Sequence, residues 1–423
     1  MKILHLTPHL GGGVGRALKA LVQYSDKAIQ REIICLEIPE KKAILEDLIA
    51  HGCRVFVEPN SEKIKELIGG ADIVQIEWWN HPILIKFLTS ISHIKFRLVI
   101  WSHVSGLHTP IIPTELIEVS DSFVFTSKSS LKNNDLKKLS LINKSKLKVI
   151  SSSGGFDDFS YLNRNLSSFK IGYIGTLSFS KLHPDFINFL SVIEKEDLPV
   201  KLVGDIQNKE ILLGQCKKRK LKNLINFLDF VDPISKIHPD IDVLVYFLNP
   251  FHYGTTENAL IEAMSSGIVP IVINNPTEMG IVKNKKTGLV VKTPKDFYDA
   301  IRWLKDNPKE RLKMSRAASR FVRASFNPKK SAQLFNNIYL ELILNDKKTV
   351  NFSYVFGSEP SNWFLKFQKH ANFFNSNGTI KSFSDYEKFC ILEQKKGSIF
   401  HFYSYFPSDN KLETWVDIVK KCK

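Results

Sequence analysis

The chain has 423 residues, of which 43% are apolar and 24% charged. This is an ordinary globular composition, and it excludes a disordered chain, a collagen-like repeat and a disulfide miniprotein. At roughly 150 residues per domain the length predicts two or three domains, and the net charge of +16 favours an anionic partner, which could be nucleic acid, a membrane surface or a phosphorylated small molecule.

Residues 1–160 alternate short β-rich runs with helix-like stretches, which is typical of a parallel, doubly wound sheet. The predicted strands are 2–7, 32–38, 54–57, 72–77, 98–101, 122–126 and 148–151. Apolar residues at helical spacing predict helices over 16–24 and 43–49. We expect this first Rossmann-like domain to end in the polar stretch over 151–168.

The alternation restarts after that stretch and predicts a second Rossmann-like domain over 161–345. Its predicted strands are 171–174, 200–203, 225–228, 243–248 and 269–273, and its predicted helices are 185–193, 257–264 and 294–304. We expect two more helices, over 308–324 and 329–344, to close this domain.

The remaining residues, 346–423, hold 17 of the 47 aromatic residues. Because so many rings are costly to leave in water, we expect this C-terminal extension to pack on the body or to fold as a small unit. Its role cannot be read from its composition.

Cysteines and apolar runs indicate neither secretion nor membrane insertion. The five cysteines are scattered without C-x-x-C spacing, so neither a zinc site nor a disulfide framework is predicted. The start of the chain is too short and too soon broken by Pro8 for a signal peptide, and no window reaches ~18 apolar residues. We therefore expect a cytoplasmic protein.

A glycine-rich turn, TPHLGGGVGR over 7–16, joins the first predicted strand to a helix. Such glycines let the backbone approach a ligand, and the helix N-terminus offers free N–H groups to an anion. The spacing is neither G-x-G-x-x-G nor a P-loop. A turn needed only for packing is equally compatible with these residues.

The segment YGTTENALIEAM over 253–264 follows another predicted strand. Its Gly-Thr-Thr turn predicts the start of a helix, with Thr255 or Thr256 capping the free N–H groups. A diphosphate suits that helix start, and Glu262 further along the helix could accept hydrogen bonds from ribose hydroxyls. A capped core helix with two solvated glutamates fits the same pattern.

Several motifs resemble those of the retaining glycosyltransferases of family four, and they occur in the same order along the chain as in that family. The strongest are ENALIEAMSSGIVPIV over 257–272 and KNKKTGLVV over 283–291; the weaker ones are the glycine loop at 11–15, His103, GGFD at 154–157, and Gly175-Thr176-Leu177 with Lys181. The resemblance runs from residue 1 to about residue 340. It implies the GT-B architecture, in which two Rossmann-like domains face each other across a cleft.

The resemblance also implies a reaction and a set of residues. The reaction is transfer of a sugar from a nucleotide-diphosphate donor with retention, without a metal or other cofactor. His103 and Lys181 are the implied catalytic residues. The implied donor-binding residues are Gly12, Gly13, Gly175, Thr176, Thr255, Thr256, Glu257, Asn258, Glu262 and Glu278.

Two positions depart from the family pattern. The first motif glutamate falls at Gly254, so that Glu257 or the Thr255/Thr256 pair would have to replace its carboxylate. The arginine that accompanies the lysine falls at Thr176, which leaves one positive charge to come from elsewhere. The D-x-D spacing over 240–242 runs straight into a predicted strand, and we expect it to be structural rather than to hold a metal.

Most of the excess positive charge lies in two segments. Residues 128–148 hold seven lysines and one aspartate, while residues 302–330 hold ten lysines or arginines and two acidic residues. The first segment, with Leu131, Leu136 and Leu139, could lie on anionic lipid, or it could be a solvated face. We expect the second segment to be solvated helix surface.

The implied partners are a nucleotide sugar and a glycan acceptor, such as a lipid-linked or surface-polysaccharide intermediate at the inner face of the cell membrane. A non-catalytic GT-B scaffold subunit and a sugar-nucleotide epimerase on the same fold are open alternatives. Nucleic acid is disfavoured as a partner, because the basic stretches lack interleaved aromatic residues and any known binding motif.

Overall fold

The computed structural model describes residues 1–39, 42–205, 207–228, 231, 233–375 and 386–422. Two parallel sheets, of seven and six strands, form the body of the protein. The predicted α/β class with two Rossmann-like sheets and a C-terminal extension is therefore confirmed.

The first sheet has the strand order β3-β2-β1-β4-β5-β6-β7. Its strands are β1 (Lys2–Thr7), β2 (Gln30–Cys35), β3 (Arg54–Val57), β4 (Ile73–Trp78), β5 (Leu98–Ser102), β6 (Ser122–Phe125) and β7 (Leu147–Val149). Around it lie α1 (Gly12–Gln23), α2 (Ala43–Ala50), α3 (Ser61–Gly70), α4 (Pro82–Ser90), α5 (Thr114–Val119) and α6 (Leu141–Ser145), with 3-10 helices at Lys128–Lys132 and Asn134–Lys138. The strand order reverses between β1 and β4, which is where open α/β sheets place ligands.

The second sheet repeats this pattern in the order β10-β9-β8-β11-β12-β13. Its strands are β8 (Ile171–Ile174), β9 (Val200–Val203), β10 (Ile225–Leu228), β11 (Val243–Tyr246), β12 (Val269–Ile273) and β13 (Leu289–Val291). Its helices are α7 (Phe186–Ser191), α8 (Lys209–Lys218), α9 (Asn258–Ser265), α10 (Pro276–Ile281), α11 (Pro294–Asp306) and α12 (Pro308–Ser325), with 3-10 helices at Glu194–Glu196 and Ile234–Asp240.

The helix predicted over 329–344 does not close the second domain. It forms α13 (Pro328–Leu342) and packs on the first sheet, in one apolar cluster with Ile3 and Ala17. The ring centres of Trp101 and Phe335 lie 4.8 Å apart in this cluster. The prediction was wrong because an apolar helical face does not say which of two sheets it covers.

The extension packs on the first domain, which confirms that it lies against the body. Its helices are α14 (Phe352–Phe356), α15 (Pro360–Lys366), α16 (Ala371–Asn375), α17 (Phe389–Leu392), α18 (Ile399–Tyr405) and α19 (Asn410–Lys421), and residues 376–385 lie outside the described residues. Its aromatic residues share one core cluster with the first sheet, and the Phe356 ring stacks on Trp78 at 5.6 Å between centres.

The two basic segments are less uniform than expected. Leu136 and Leu139 are buried in the core, so they are not on a lipid-facing surface, whereas Leu131 is exposed. In the second segment Arg311 is buried, and its guanidinium donates to the carbonyls of Leu304 (3.1 Å) and Ser168 (2.6 Å). Some of this charge is therefore internal, rather than on a solvated helix surface.

The D-x-D sequence is structural, as expected. Asp242 Oδ2 accepts hydrogen bonds from Ser168 Oγ (2.7 Å) and from the Lys170 backbone N–H (2.9 Å). Asp240 Oδ1 lies 3.0 Å from Lys170 Nζ. Both aspartates thus tie the start of β11 to the linker that precedes β8.

Among the described residues, every helix is too short or too polar to traverse a lipid bilayer.

Candidate functional site

Two cavities adjoin where the two domains face each other. One, of about 740 Å³, has Gly13 and His103 in its wall and is here called the first-domain cavity. The other, of about 670 Å³, has Gly175 and Glu262 in its wall and is here called the second-domain cavity. Gly12 lines both, so the two cavities meet at the glycine loop.

The glycine loop brings the start of α1 close to α9 of the other domain. Gly12 has a left-handed φ of +61°, and no atom lies within 4 Å of the position that a Cβ would take. A Cβ at Gly13 would lie 3.0 Å from Asn258 Nδ2. Unpaired N–H groups at the start of a helix favour an anion, so this loop presents an anion-binding element to the cleft.

His103 is both hydrogen-bonded and at the wall of the first-domain cavity. Its Nε2 lies 2.9 Å from Glu77 Oε2, and His5 Nδ1 lies 2.9 Å from Glu77 Oε1. Burial would raise the pKa of the Glu77 carboxyl, but hydrogen bonds from His103 and His5 outweigh it and lower this pKa to about 2. Glu77 therefore stays ionised and fixes the orientation of the His103 ring.

The carboxylate of Glu257 occupies the space beside Gly254. A Cβ at Gly254 would lie 1.8 Å from Glu257 Oε1, so a side chain at this position excludes the observed carboxylate. Glu257 Oε2 accepts a hydrogen bond from the Tyr246 hydroxyl (2.6 Å) and lies 3.1 Å from Lys181 Nζ. Glu257 itself has a left-handed φ of +47°, which is uncommon for a residue other than glycine.

Lys181 and Glu257 hold each other in the charged state. Burial disfavours the Lys181 ammonium, but the Glu257 carboxylate outweighs burial and raises the pKa of Lys181. Burial likewise opposes ionisation of Glu257, yet Lys181 and His252 lower its pKa. The lysine therefore brings a permanent positive charge to the region next to Gly254.

The threonines before α9 do not cap it. Glu257 is the N-cap residue, and its side chain makes no capping hydrogen bond. The Thr255 hydroxyl instead pairs with the Thr126 hydroxyl at 2.7 Å, and Thr256 Oγ1 with Ser152 Oγ at 2.9 Å. The predicted caps are wrong because hydroxyl partners from the first domain compete with the helix N–H groups.

Glu278 is fully buried beside His252. His252 Nε2 lies 3.1 Å from Glu278 Oε1, and the pKa of His252 is raised because this carboxylate outweighs burial. The ligand atoms of His252, Glu257 and Glu278 lie within 4.8 Å of one another, as a metal site would require. The Lys181 ammonium lies 3.1 Å from Glu257 Oε2, so a side chain of the protein already supplies positive charge to this group.

Glu262 is buried in the wall of the second-domain cavity, and it forms an ion pair across the cleft. Arg16 Nη1, from α1, donates to Glu262 Oε1 at 2.5 Å. Burial raises the pKa of Glu262, and Arg16 offsets this effect only in part. Arg16 lines both cavities, so its guanidinium lies where they meet.

The turn after β8 has a hydroxyl where the resembling family has an arginine. The Thr176 hydroxyl donates to Asp205 Oδ2, and the Leu177 backbone N–H donates to Asp205 Oδ1 at 3.2 Å. Gly175, Thr176 and Asp205 all line the second-domain cavity. The missing positive charge is not restored by this turn.

The structure brings the predicted residues to one cleft, in two layers. Gly12, Gly13, Gly175, Thr176, His103 and Glu262 line the two cavities, whereas Thr255, Thr256, Glu257 and Glu278 are buried and line neither. Lys181 and Asn258, also predicted, are half-buried and do not line either cavity. Two residues of the site were not predicted. Arg16 directly follows the glycine loop, and its position one helical turn after Gly12 could have indicated it. Glu77 has no such signal, because only the folded sheet brings it next to His103.

Part of the chain is similar in sequence to known glycosyltransferases. Residues 157–321 match the model of the family described as glycosyl transferases group 1. A stretch of 141 residues is 27% identical to the O-antigen biosynthesis glycosyltransferase WclY of Escherichia coli. This stretch covers 33% of the present chain and 38% of the relative. The chain thus spans well under half the length of the curated relatives that it matches.

Solved structures with the same fold cover more of the chain. Anabaena Alr3699/HepE, in complex with UDP and glucose, superposes with a TM-score of 0.64 at 16% identity over 81% of this chain and 100% of its own. A glycosyltransferase from Rickettsia africae superposes with a TM-score of 0.62 at 16% identity over 81% and 99%. The chain has the two-sheet fold of GT-B glycosyltransferases, and its segment 157–321 is similar to the glycosyl transferases of group 1.

Proposed function

We propose that this chain moves a sugar from a nucleotide-diphosphate donor to a glycan acceptor, with retention of anomeric configuration. The donor binds in the second-domain cavity, the acceptor binds in the first-domain cavity, and transfer takes place beside Gly12. The observation that carries this proposal is that the two cavities adjoin at a glycine loop with a helix N-terminus. Holding donor and acceptor in this way supplies much of the rate enhancement by proximity.

Two buried carboxylates have different roles toward the donor in this scheme. Glu262 accepts hydrogen bonds from the ribose hydroxyls, in place of the guanidinium that it now holds. Glu257 lines neither cavity; its carboxylate fills the space beside Gly254, where the resembling family has a glutamate, and in this scheme it holds the Lys181 ammonium in place. Since Lys181 keeps Glu257 ionised, this carboxylate only accepts hydrogen bonds.

Positive charge for the leaving diphosphate comes from both domains. Lys181, the Arg16 guanidinium and the N-terminus of α1 stabilise the negative charge that develops as the sugar departs. Arg16 thereby replaces the arginine that is absent at Thr176. The leaving phosphate accepts the proton of the attacking hydroxyl, and His103, oriented by Glu77, contacts the sugar at the reaction centre.

We propose that neither a metal nor another cofactor takes part. The His252, Glu257 and Glu278 group is the arrangement that could hold an ion among the described residues. The ammonium of Lys181 lies 3.1 Å from one of its carboxylates and repels a second cation. The charge required at the diphosphate is thus supplied by side chains.

The proposed acceptor is a lipid-linked or surface-polysaccharide intermediate at the inner face of the cell membrane. The similarity to an O-antigen glycosyltransferase supports an acceptor of this class. Leu131, Leu141 and Ile142 are 45%, 84% and 76% exposed among the lysines of 128–148. This segment would contact anionic lipid by burying these apolar side chains between basic ones.

A thermal-shift screen across UDP-, GDP-, ADP- and CMP-sugars tests the donor assignment. We expect donors with one base to raise the melting temperature, and Glu262→Ala to lose that response. The matched control Glu310→Ala, which changes an exposed glutamate on α12, should keep it. Lys181→Ala should reduce sugar transfer more than acceptor binding.

The outcomes separate the alternatives. If no sugar nucleotide binds to the wild-type chain, the protein is a non-catalytic scaffold subunit and the proposal is wrong. If the chain isomerises the donor or releases free sugar without any acceptor, it is an epimerase. Equal donor turnover in Glu262→Ala and the wild type would refute the assignment of the site.

A further inference from the structure

A short segment of the C-terminal extension crosses the cleft and is anchored to both domains. At one end of this segment, 393–397, the Glu393 carboxylate accepts a hydrogen bond from Ser178 Oγ of the second domain at 2.7 Å. At the other end the Gly397 carbonyl accepts a hydrogen bond from Asn80 Nδ2 of the first domain at 3.0 Å. We call this segment the strap; its two ends are held by different domains.

The end at Gly397 also depends on close packing. Gly397 has a left-handed φ of +78°, and a Cβ there would lie 2.6 Å from Asn80 Oδ1. The end at Glu393 has further partners in Gln207 Nε2 (3.0 Å) and Asn208 Nδ2 (3.1 Å). The residues between the ends are therefore held at a defined place in the cleft.

Two lysines lie between these anchors and line the first-domain cavity. The Lys395 ammonium is buried, lies 4.9 Å from the centre of the Tyr253 ring, and has no hydrogen-bond acceptor among the described residues. Lys396 Nζ lies 3.1 Å from His9 Nε2. Within the described ranges, no carboxylate lies at ion-pair distance from either ammonium.

The other cations in the wall of this cavity have partners. Arg16 is paired with Glu262, and Lys19 Nζ lies 2.6 Å from Asp47 Oδ2. Burial lowers the pKa of Lys395, and the nearby Glu393 carboxylate offsets this effect only in part. A buried ammonium without an acceptor is unfavourable unless a ligand supplies one.

We propose that the strap lysines bind the phosphate of a phosphorylated acceptor in the first-domain cavity. Lysine binds phosphate as a point charge, and two ammonium groups from adjacent residues match its charge. Gly12 also lines this cavity, so the N-terminus of α1 adds N–H donors to it. The volume of about 740 Å³ is enough for a sugar phosphate. Only the description of this ligand as the acceptor rests on the proposed function.

Calorimetric titration of inorganic pyrophosphate into the full chain tests the site. We expect Lys395→Met to weaken binding by about tenfold or more, since it removes a charged donor. The matched control Lys411→Met, which removes an exposed lysine elsewhere in the extension, should bind as the wild type does. Lys181→Met, in the site proposed for the donor diphosphate, should not remove the pyrophosphate binding that Lys395→Met removes.

Two results would overturn the proposal. One is wild-type affinity in Lys395→Met. The other is an equal loss in Lys395→Met and Lys181→Met, which would place the anion at the donor diphosphate. Because the titration needs no sugar nucleotide, a chain that binds pyrophosphate at Lys395 but no sugar nucleotide would refute the proposed function and leave this site standing.

The stability of the variants separates binding from a structural role. Removing an unpaired buried charge should raise the melting temperature of the ligand-free Lys395→Met protein. A lysine that only supports the fold would lower it on substitution. Lys395→Arg keeps the charge and should restore part of the pyrophosphate affinity, whereas a purely steric role would not be rescued.

Discussion

Replacing Glu257 by glutamine keeps the shape of the side chain but removes the charge that faces Lys181. The two charged atoms are 3.1 Å apart; the glutamate side chain is 1% exposed and the lysine side chain 21%. At an effective dielectric constant of about 20, two unit charges at this distance attract each other by about 5 kcal/mol. Desolvation of both groups offsets part of this attraction, and we expect a net coupling of about 2 kcal/mol.

A double-mutant cycle of Glu257→Gln and Lys181→Met measures that coupling in the free energy of unfolding by urea. Each single variant should be destabilised, because it leaves a buried charge without its partner. The double variant should be more stable than the sum of the two single changes predicts. The pair Lys295 and Asp299, 2.7 Å apart but exposed, is the control, and its cycle should show a much smaller coupling. If the buried pair couples no more strongly than this surface pair, the electrostatic reasoning about Lys181 is refuted.

Three further predictions follow from burial and packing. Burial lowers the pKa of His183 from 6.5 to about 4, so between these pH values the unfolded chain binds a proton that the folded chain does not. The melting temperature should therefore fall as the pH is lowered from 6.5 to 4. An unchanged melting temperature would contradict this prediction. Gly254→Ala should lower the melting temperature, because its Cβ overlaps a buried carboxylate, whereas Gly280→Ala, at a position with open space, should not. Leu141→Ser should reduce co-sedimentation of the protein with vesicles that contain phosphatidylserine. The control is Leu344→Ser, which changes a leucine of similar exposure outside the basic segment. An equal loss of co-sedimentation in both variants would exclude the proposed lipid contact.

The sheets were largely predictable because buried parallel strands are short apolar runs bounded by polar residues. The run over 171–174 was predicted with the bounds that the structure gives it, Ile171–Ile174. The run over 32–38 was less well bounded and forms Gln30–Cys35. Leu36 is buried beyond the end of that strand, and hydrophobicity alone does not separate a strand from a buried loop that continues it.

The cleft could be predicted only in part, because local patterns do not report pairings between distant residues. Motifs placed Gly12, His103 and Glu262 at the site, and these residues do line the two cavities. The ion pair of Arg16 with Glu262 spans 246 residues, and no motif signals it. The left-handed backbone of Glu257, which sends its carboxylate back toward Gly254, has no sequence signal either.

The position of the strap along the chain gives the cleft an order of assembly. The thirteen strands found in the described part of the chain all precede residues 393–397, and a chain folds from its N-terminus as it leaves the ribosome. Both sheets can therefore form and face each other while the wall that carries Lys395 is still being synthesised. The nascent protein therefore acquires the second-domain cavity first, and completing the first-domain cavity is a late event of translation.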